Sequence, residues 1–143
     1  MSTDWTTIAD RVYNVDMTQT RIPLWVAEHG AEYRVPDAIT KLEGIDDLSW
    51  HNDACPSFGK AVEDPVTHDN HVVHIWVDFV DQDPTLPHYY VVDYTPWSAE
   101  PVPGLPAADM GLSAYEGTDV KEAIAVFMEV LAVVHLEMAR RRG

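Results

Sequence analysis

Six side chains able to bind or react fall between positions 50 and 57, inside the stretch LSWHNDACPSFG: Trp50, His51, Asn52, Asp53, Cys55 and Ser57. A thiolate is a nucleophile once a base has taken its proton, and His51 stands close to Cys55 in sequence. Nucleophile and base normally meet through the fold, however, and no G-x-S-x-G elbow or caspase-like signature surrounds this pair. The same residues also read as a structured turn. Asn52-Asp53 favours an Asx-type turn, Pro56 stiffens it, and Trp50, Cys55 and Phe58 supply apolar plugs. His51, Asn52, Asp53 and Cys55 are therefore candidate ligand-binding residues, and no residue is assigned a catalytic role.

A second group, His68, His71, His74 and Asp78, has the residue types of a metal site. Its spacing suits a helix, but the alternation of HVVHIWVDFV is that of a strand. At about 3.3 Å per residue, His74 and Asp78 stand roughly 13 Å apart, too far to share one ion. His71 and His74 should point to opposite faces, so a site would need Asp93 or His88 from elsewhere. No metal or cofactor is expected. The third group is the outer face of the same strand, where Asp78, with Asp93, joins Trp76, Tyr90 or Tyr94. Carboxylates about 5–9 Å apart can perform glycosidic acid/base chemistry, for which two isolated aspartates are poor support. Nothing resembles a P-loop, a dinucleotide fingerprint, a zinc ribbon or a helical H-E-x-x-H.

These residues must be placed by a small set of elements. His71 to Val80 alternates, with Val73, Ile75, Val77 and Phe79 on one face and Val72, His74, Trp76, Asp78 and Val80 on the other. Tyr89 to Thr95 is a second strand, reached through a proline-containing loop, Asp81 to His88. Phe58 to Asp64 supplies a third. Residues 58–95 thus form an antiparallel meander, and Leu112 to Tyr115 can add an edge strand, giving three to four strands in all. Residues 96–117 form a long loop with four prolines and three glycines, of the kind that is more often functional or mobile than idle.

Helices flank the sheet. Trp5, Ile8, Ala9 and Val12 predict a short amphipathic helix within residues 1–14, capped by Ser2 or Thr3. Arg21 to Val35 reads either as strand or as helix, and Pro36 opens a turn or two of helix. The C-terminal helix spans 118–142. Thr118 or Asp119 caps it, Glu122 completes a capping box if Asp119 is the cap, and Val120, Ile124, Phe127, Leu131, Val134 and Met138 form its stripe. Ala123, Val126, Val130 and Val133 widen that stripe, which also suits a homodimer contact. Arg140, Arg141 and Arg142 lie at the negative end of the helix dipole. The chain reads as a single α+β domain over 1–143, with the long helix packed on one sheet face.

Charge gives the sharpest exclusion. The 143 residues carry 24 acids against 9 bases, a net charge of −15. From Ala61 to Val120 there is no Lys or Arg, while eleven carboxylates fall there, Asp78, Asp81, Asp83 and Asp93 among them. Such a field repels nucleic acid, which excludes direct binding of DNA or RNA. The lone cysteine fits a reducing compartment, the N-terminus has no signal-peptide pattern, and no apolar run spans a bilayer, so a cytoplasmic setting is expected. The expected function is that of a small acidic interaction protein without enzymatic activity, facing a protein with a basic surface. Its sharpest form is a mimic of nucleic acid that inhibits a nucleic-acid-binding protein, with Asp78, Asp81, Asp83, Asp93, Trp50 and Trp76 as contact residues. The alternative is a small metal- or thiol-dependent hydrolase using Trp50–Ser57 or the central histidines. The same acids would also serve simply as a solubility surface.

Overall fold

The computed structural model describes residues 22–80, 83–106 and 112–143. The expected N-terminal helix, Asp81 and Asp109 lie outside the described residues. The elements run α1 (Leu24–His29), a 3-10 turn (Ala31–Tyr33), α2 (Asp37–Thr40), β1 (Asp46–Asp47), β2 (Ser57–Glu63), β3 (Asn70–Val80), β4 (Asp83–Tyr94), β5 (Tyr115–Gly117) and α3 (Val120–Arg142). The strands form one antiparallel sheet in sequential order, β1-β2-β3-β4-β5. The α+β class and the antiparallel meander agree with the sequence reading, but the sheet has five strands and not three to four. The unexpected strand is β1, two residues long and too short to carry a period-two signal, while the edge strand expected over Leu112 to Tyr115 is β5, shifted to Tyr115–Gly117.

Two further expectations change. The loop expected over Asp81 to His88 is mostly strand, since β4 already begins at Asp83 and pairs with β3 through Phe79↔Pro87 and Val80↔Asp83. Proline donates no hydrogen bond, which argues against a central strand, but β5 pairs only with Tyr89, Val91 and the residue between them. The earlier part of β4 is therefore a sheet edge, where Pro87 forfeits no ladder bond on its open side. Of the segment Arg21 to Val35, the part from Ile22 on, which is described, forms the helix α1 and the 3-10 turn, and Pro36 is the cap before α2, not its first residue.

The helix α3 crosses the sheet through Ala123, Phe127, Val130, Val134 and Met138, all buried, against Phe58, Val62, Val73, Ile75, Val77, Tyr89 and Val91. Ile124 and Leu131, expected at the centre of this contact, are half-buried on its flank. Among the described residues no helix is long and apolar enough to cross a membrane. The cap is Asp119, whose carboxylate accepts from the backbone N–H of Lys121 and Glu122 at 2.9 and 3.3 Å. The return half of the capping box is relayed. Asp119 N–H donates to Tyr115 Oη, and that hydroxyl donates to Glu122 Oε1, so β5 and the helix start are stitched together. On the sheet, Gly59 stands opposite His74, and a Cβ added there would sit 2.1 Å from the Val73 carbonyl oxygen. Only glycine lets β2 and β3 approach this closely.

Candidate functional site

The pleat divides the candidate residues between two faces. His71, Val73, Ile75 and Val77 face α3, whereas Val72, His74, Trp76 and Asp78 face away from it. On the outer face Trp76 stands opposite Tyr90, and Asp78 opposite His88. His74 stacks on Trp76 with centroids 5.1 Å apart, and His88 lies over Tyr90 at 4.6 Å. Tyr94 extends this face and is exposed, and Glu116 of β5 borders it opposite Tyr90. Asp53 attracts the proton of His74, but burial outweighs that attraction and lowers the imidazole's affinity for it. The Asp53–Cys55 part of the turn therefore lies against the same face, while Trp50 is half exposed with its ring against His51. No Lys or Arg falls on this face among the described residues. Of the expected contact residues, Asp78 and Trp76 are together here.

Asp93 is elsewhere. It pairs with Val73 across the β3–β4 ladder and points into the molecule with Tyr89 and Val91, retaining 7% of its surface. Asp78 and Asp93 consequently lie on opposite faces and form no glycosidase-like pair. The thiol reading also fails on geometry. His51 is tied to Glu28, whose Oε1 accepts from both the backbone N–H and Nδ1 of His51 at 2.8 Å. Cys55 is buried, and that burial, with the Asp78 carboxylate nearby, pushes its thiol up to about 12. A thiol so held is not a nucleophile near neutral pH. His68 pairs with Glu63 at 2.9 Å in a surface turn, His71 is buried and His74 faces outward, so the three histidines share no coordination sphere. Among the described residues no three His, Cys, Asp or Glu side chains are placed to hold a metal ion.

The arrangement that the sequence did not reveal is a buried polar cluster where the end of α3 meets the β2–β3 turn. Asp64, fully buried, accepts from His71 Nε2 at 3.0 Å, Arg141 Nη1 at 2.7 Å and the backbone N–H of Val66 and Thr67. Burial opposes its charge, but these donors outweigh burial and hold the carboxyl well below the usual range. Arg141 also donates to Glu137 at 2.8 Å and to the Pro101 carbonyl at 3.0 Å. Beside this satisfied group, Asp93 Oδ1 and His71 Nδ1 have no hydrogen-bond partner. Burial pushes the Asp93 carboxyl upward, and attraction from His71 offsets only part of the effect. Asp93 lines a cavity of about 730 Å³ closed by Tyr94, Thr95 and the loop residues Pro96 to Pro106. Comparison with protein-family models, curated proteins and solved structures returned no match.

Proposed function

We propose that the protein is a non-enzymatic interaction protein that receives a basic protein partner on the outer face of the sheet. The observation that carries this reading is the aromatic and acidic surface of β3 and β4. Trp76, Tyr90, His74 and His88 are stacked in pairs there beside Asp78, with no Lys or Arg among them. Arginine guanidinium groups stack on such rings and pair with such carboxylates, so an arginine-bearing surface is the complementary partner. The net charge of −15 would steer that partner in. In the nucleic-acid-mimicking form of this proposal, the carboxylates stand in for phosphates and the partner is inhibited. The distribution of acids favours plain docking over that form. Exposed Glu63, Asp69 and Glu100 lie towards the β2–β3 turn, whereas Asp78, Glu116 and Asp119 lie towards the other end of the strands. With Glu63 opposite Asn70 and Asp78 eight residues further along β3, the two groups of residues 61–120 stand roughly 26 Å apart. The single thiol suits a reducing, cytoplasmic setting.

The test is binding of an arginine-rich peptide at rising ionic strength, measured on the wild type, on Trp76→Ala and on the triple change Asp78→Asn, Asp81→Asn, Asp83→Asn. Both variants should weaken binding, and salt should slow association more than it speeds dissociation. Affinity that is unchanged by either variant and by salt would remove the proposal. A second reading, self-association, rests on α3. Its solvent side presents Met128 and Leu136, 49% and 72% exposed, nearly opposite the buried stripe. Light scattering that shows a dimer in the wild type and a monomer in Leu136→Glu would support it, and a monomeric wild type would end it.

A further inference from the structure

The cavity beside Asp93 is built, not left over. Three prolines, Pro96, Pro101 and Pro106, fix its wall, and the loop that carries them is pinned at several points. Ala99 N–H donates to the Pro96 carbonyl at 2.9 Å, Arg141 holds the Pro101 carbonyl at 3.0 Å, and Ser98 Oγ donates to Asp69. Val102, 3% exposed, anchors the loop in the core. Its volume of about 730 Å³ is within the ~300–1,000 Å³ of small-molecule sites. Its lining is apolar apart from Tyr94, Thr95 and Asp93, and Asp93 is its one charged residue among those described. Trp97 stands at the cavity, 94% exposed, an unusual position for so large an apolar ring unless something covers it.

We propose that this cavity binds a small organic cation, an ammonium group on an apolar body, with the ammonium paired to Asp93 and the body against Trp97, Val102 and Leu105. Three observations point to a cation. Asp93 is more than nine-tenths buried, it lines the cavity, and among the described residues no Lys, Arg or His lines the cavity with it. Arg141, which holds the same loop at Pro101, is committed to Asp64, Glu137 and that carbonyl, so it does not compete for Asp93. The field of the whole chain favours a cation and repels an anion. The upward displacement of the Asp93 carboxyl has the same origin, a buried acid waiting for a counter-charge. This site shares only Tyr94 with the outer sheet face, and its failure would leave the protein-docking proposal standing.

The experiment compares ligands that share a body and differ in head group: phenethylamine, phenethyl alcohol and 3-phenylpropionate, then cyclohexylmethylamine, cyclohexylmethanol and cyclohexylacetate. Each is titrated while the backbone amide resonances of residues 93–105 are followed. The amines should bind at least about tenfold more tightly than the alcohols, and the acids should not bind. Asp93→Asn, nearly isosteric, should abolish the preference for amines and leave the alcohols unchanged. Trp97→Ala, at an exposed position that the fold does not need, should weaken both amines. Amines that move no cavity resonance, amines and alcohols of equal affinity, or a preference that survives Asp93→Asn would each overturn the proposal.

Discussion

Asp64 and Asp93 are carboxylates on either side of one buried imidazole, His71, and their surroundings push them in opposite directions. Asp64 has donors from His71, Arg141 and two backbone N–H groups, whereas Asp93 has an oxygen with none. The pH dependence of stability must therefore carry opposite signs. Asp64 is held below its unfolded value near 3.9, so its stabilisation is present above that pH and is lost as the pH falls towards its folded value. Asp93 is held above its unfolded value, so the fold is favoured while it keeps its proton and loses stability as pH rises from about 4 through its folded value. Asp64→Asn should cost about 3–5 kcal/mol at neutral pH, because Arg141 and His71 would be left buried without their counter-charge. Asp93→Asn should instead raise stability at neutral pH, by an amount that vanishes in acid. Urea melts of both variants across a pH series check this. A destabilising Asp93→Asn would mean that His71, with Asp64 and Arg141 beyond it, already compensates the carboxylate.

At the scale of elements, α3 decides which sheet face is core, and its phase can be tested by contrast. Phe127 is 2% exposed and touches the sheet centre, so Phe127→Ala should cost about 3–5 kcal/mol, whereas half-buried Leu131→Ala should cost clearly less. Equal losses in chemical denaturation would place both residues in the core. The presence of this helix, its Asp119 cap and the two faces of β3 were legible in the sequence because each is long and strictly periodic. The short β1 was not, β5 was placed about two residues early, and the prolines hid the start of β4. The face on which Asp93 lies was not legible for a more specific reason. In YYVVDYT one phase of the alternation holds Tyr89 and Val91 with Asp93, the other Tyr90, Val92 and Tyr94, so the apolar pattern by itself would turn the aspartate outward. Only the register Val73↔Asp93, set by pairing with β3, assigns the aspartate to the inside. The Asp64–Arg141 pair, 77 positions apart, has no local signature at all.

Across the whole molecule, attraction and repulsion are sorted by depth. The strongest ion pairs, Asp64 with Arg141 and Arg141 with Glu137, are at most 10% exposed and little affected by salt. The exposed carboxylates, by contrast, have few cations near them. Lys41 pairs with Asp37 and Lys60 with Asp46, both on the surface at 3.4 and 3.6 Å. The remaining surface charge of one sign disfavours the compact state. Raising ionic strength from about 0.01 M to about 0.15 M shortens the screening length from ~30 Å to ~8 Å. The first length exceeds the roughly 26 Å between the two acidic groups, and the second is well below it. Melting temperature should therefore climb with sodium chloride over that interval and level off beyond it, because the repulsion is screened while the buried pairs keep their strength. Replacing Asp78, Asp81 and Asp83 with asparagine should raise the low-salt melting temperature and flatten its salt dependence. A melting temperature that falls as salt is added would reverse the assignment, making exposed ion pairs rather than self-repulsion the dominant surface electrostatics.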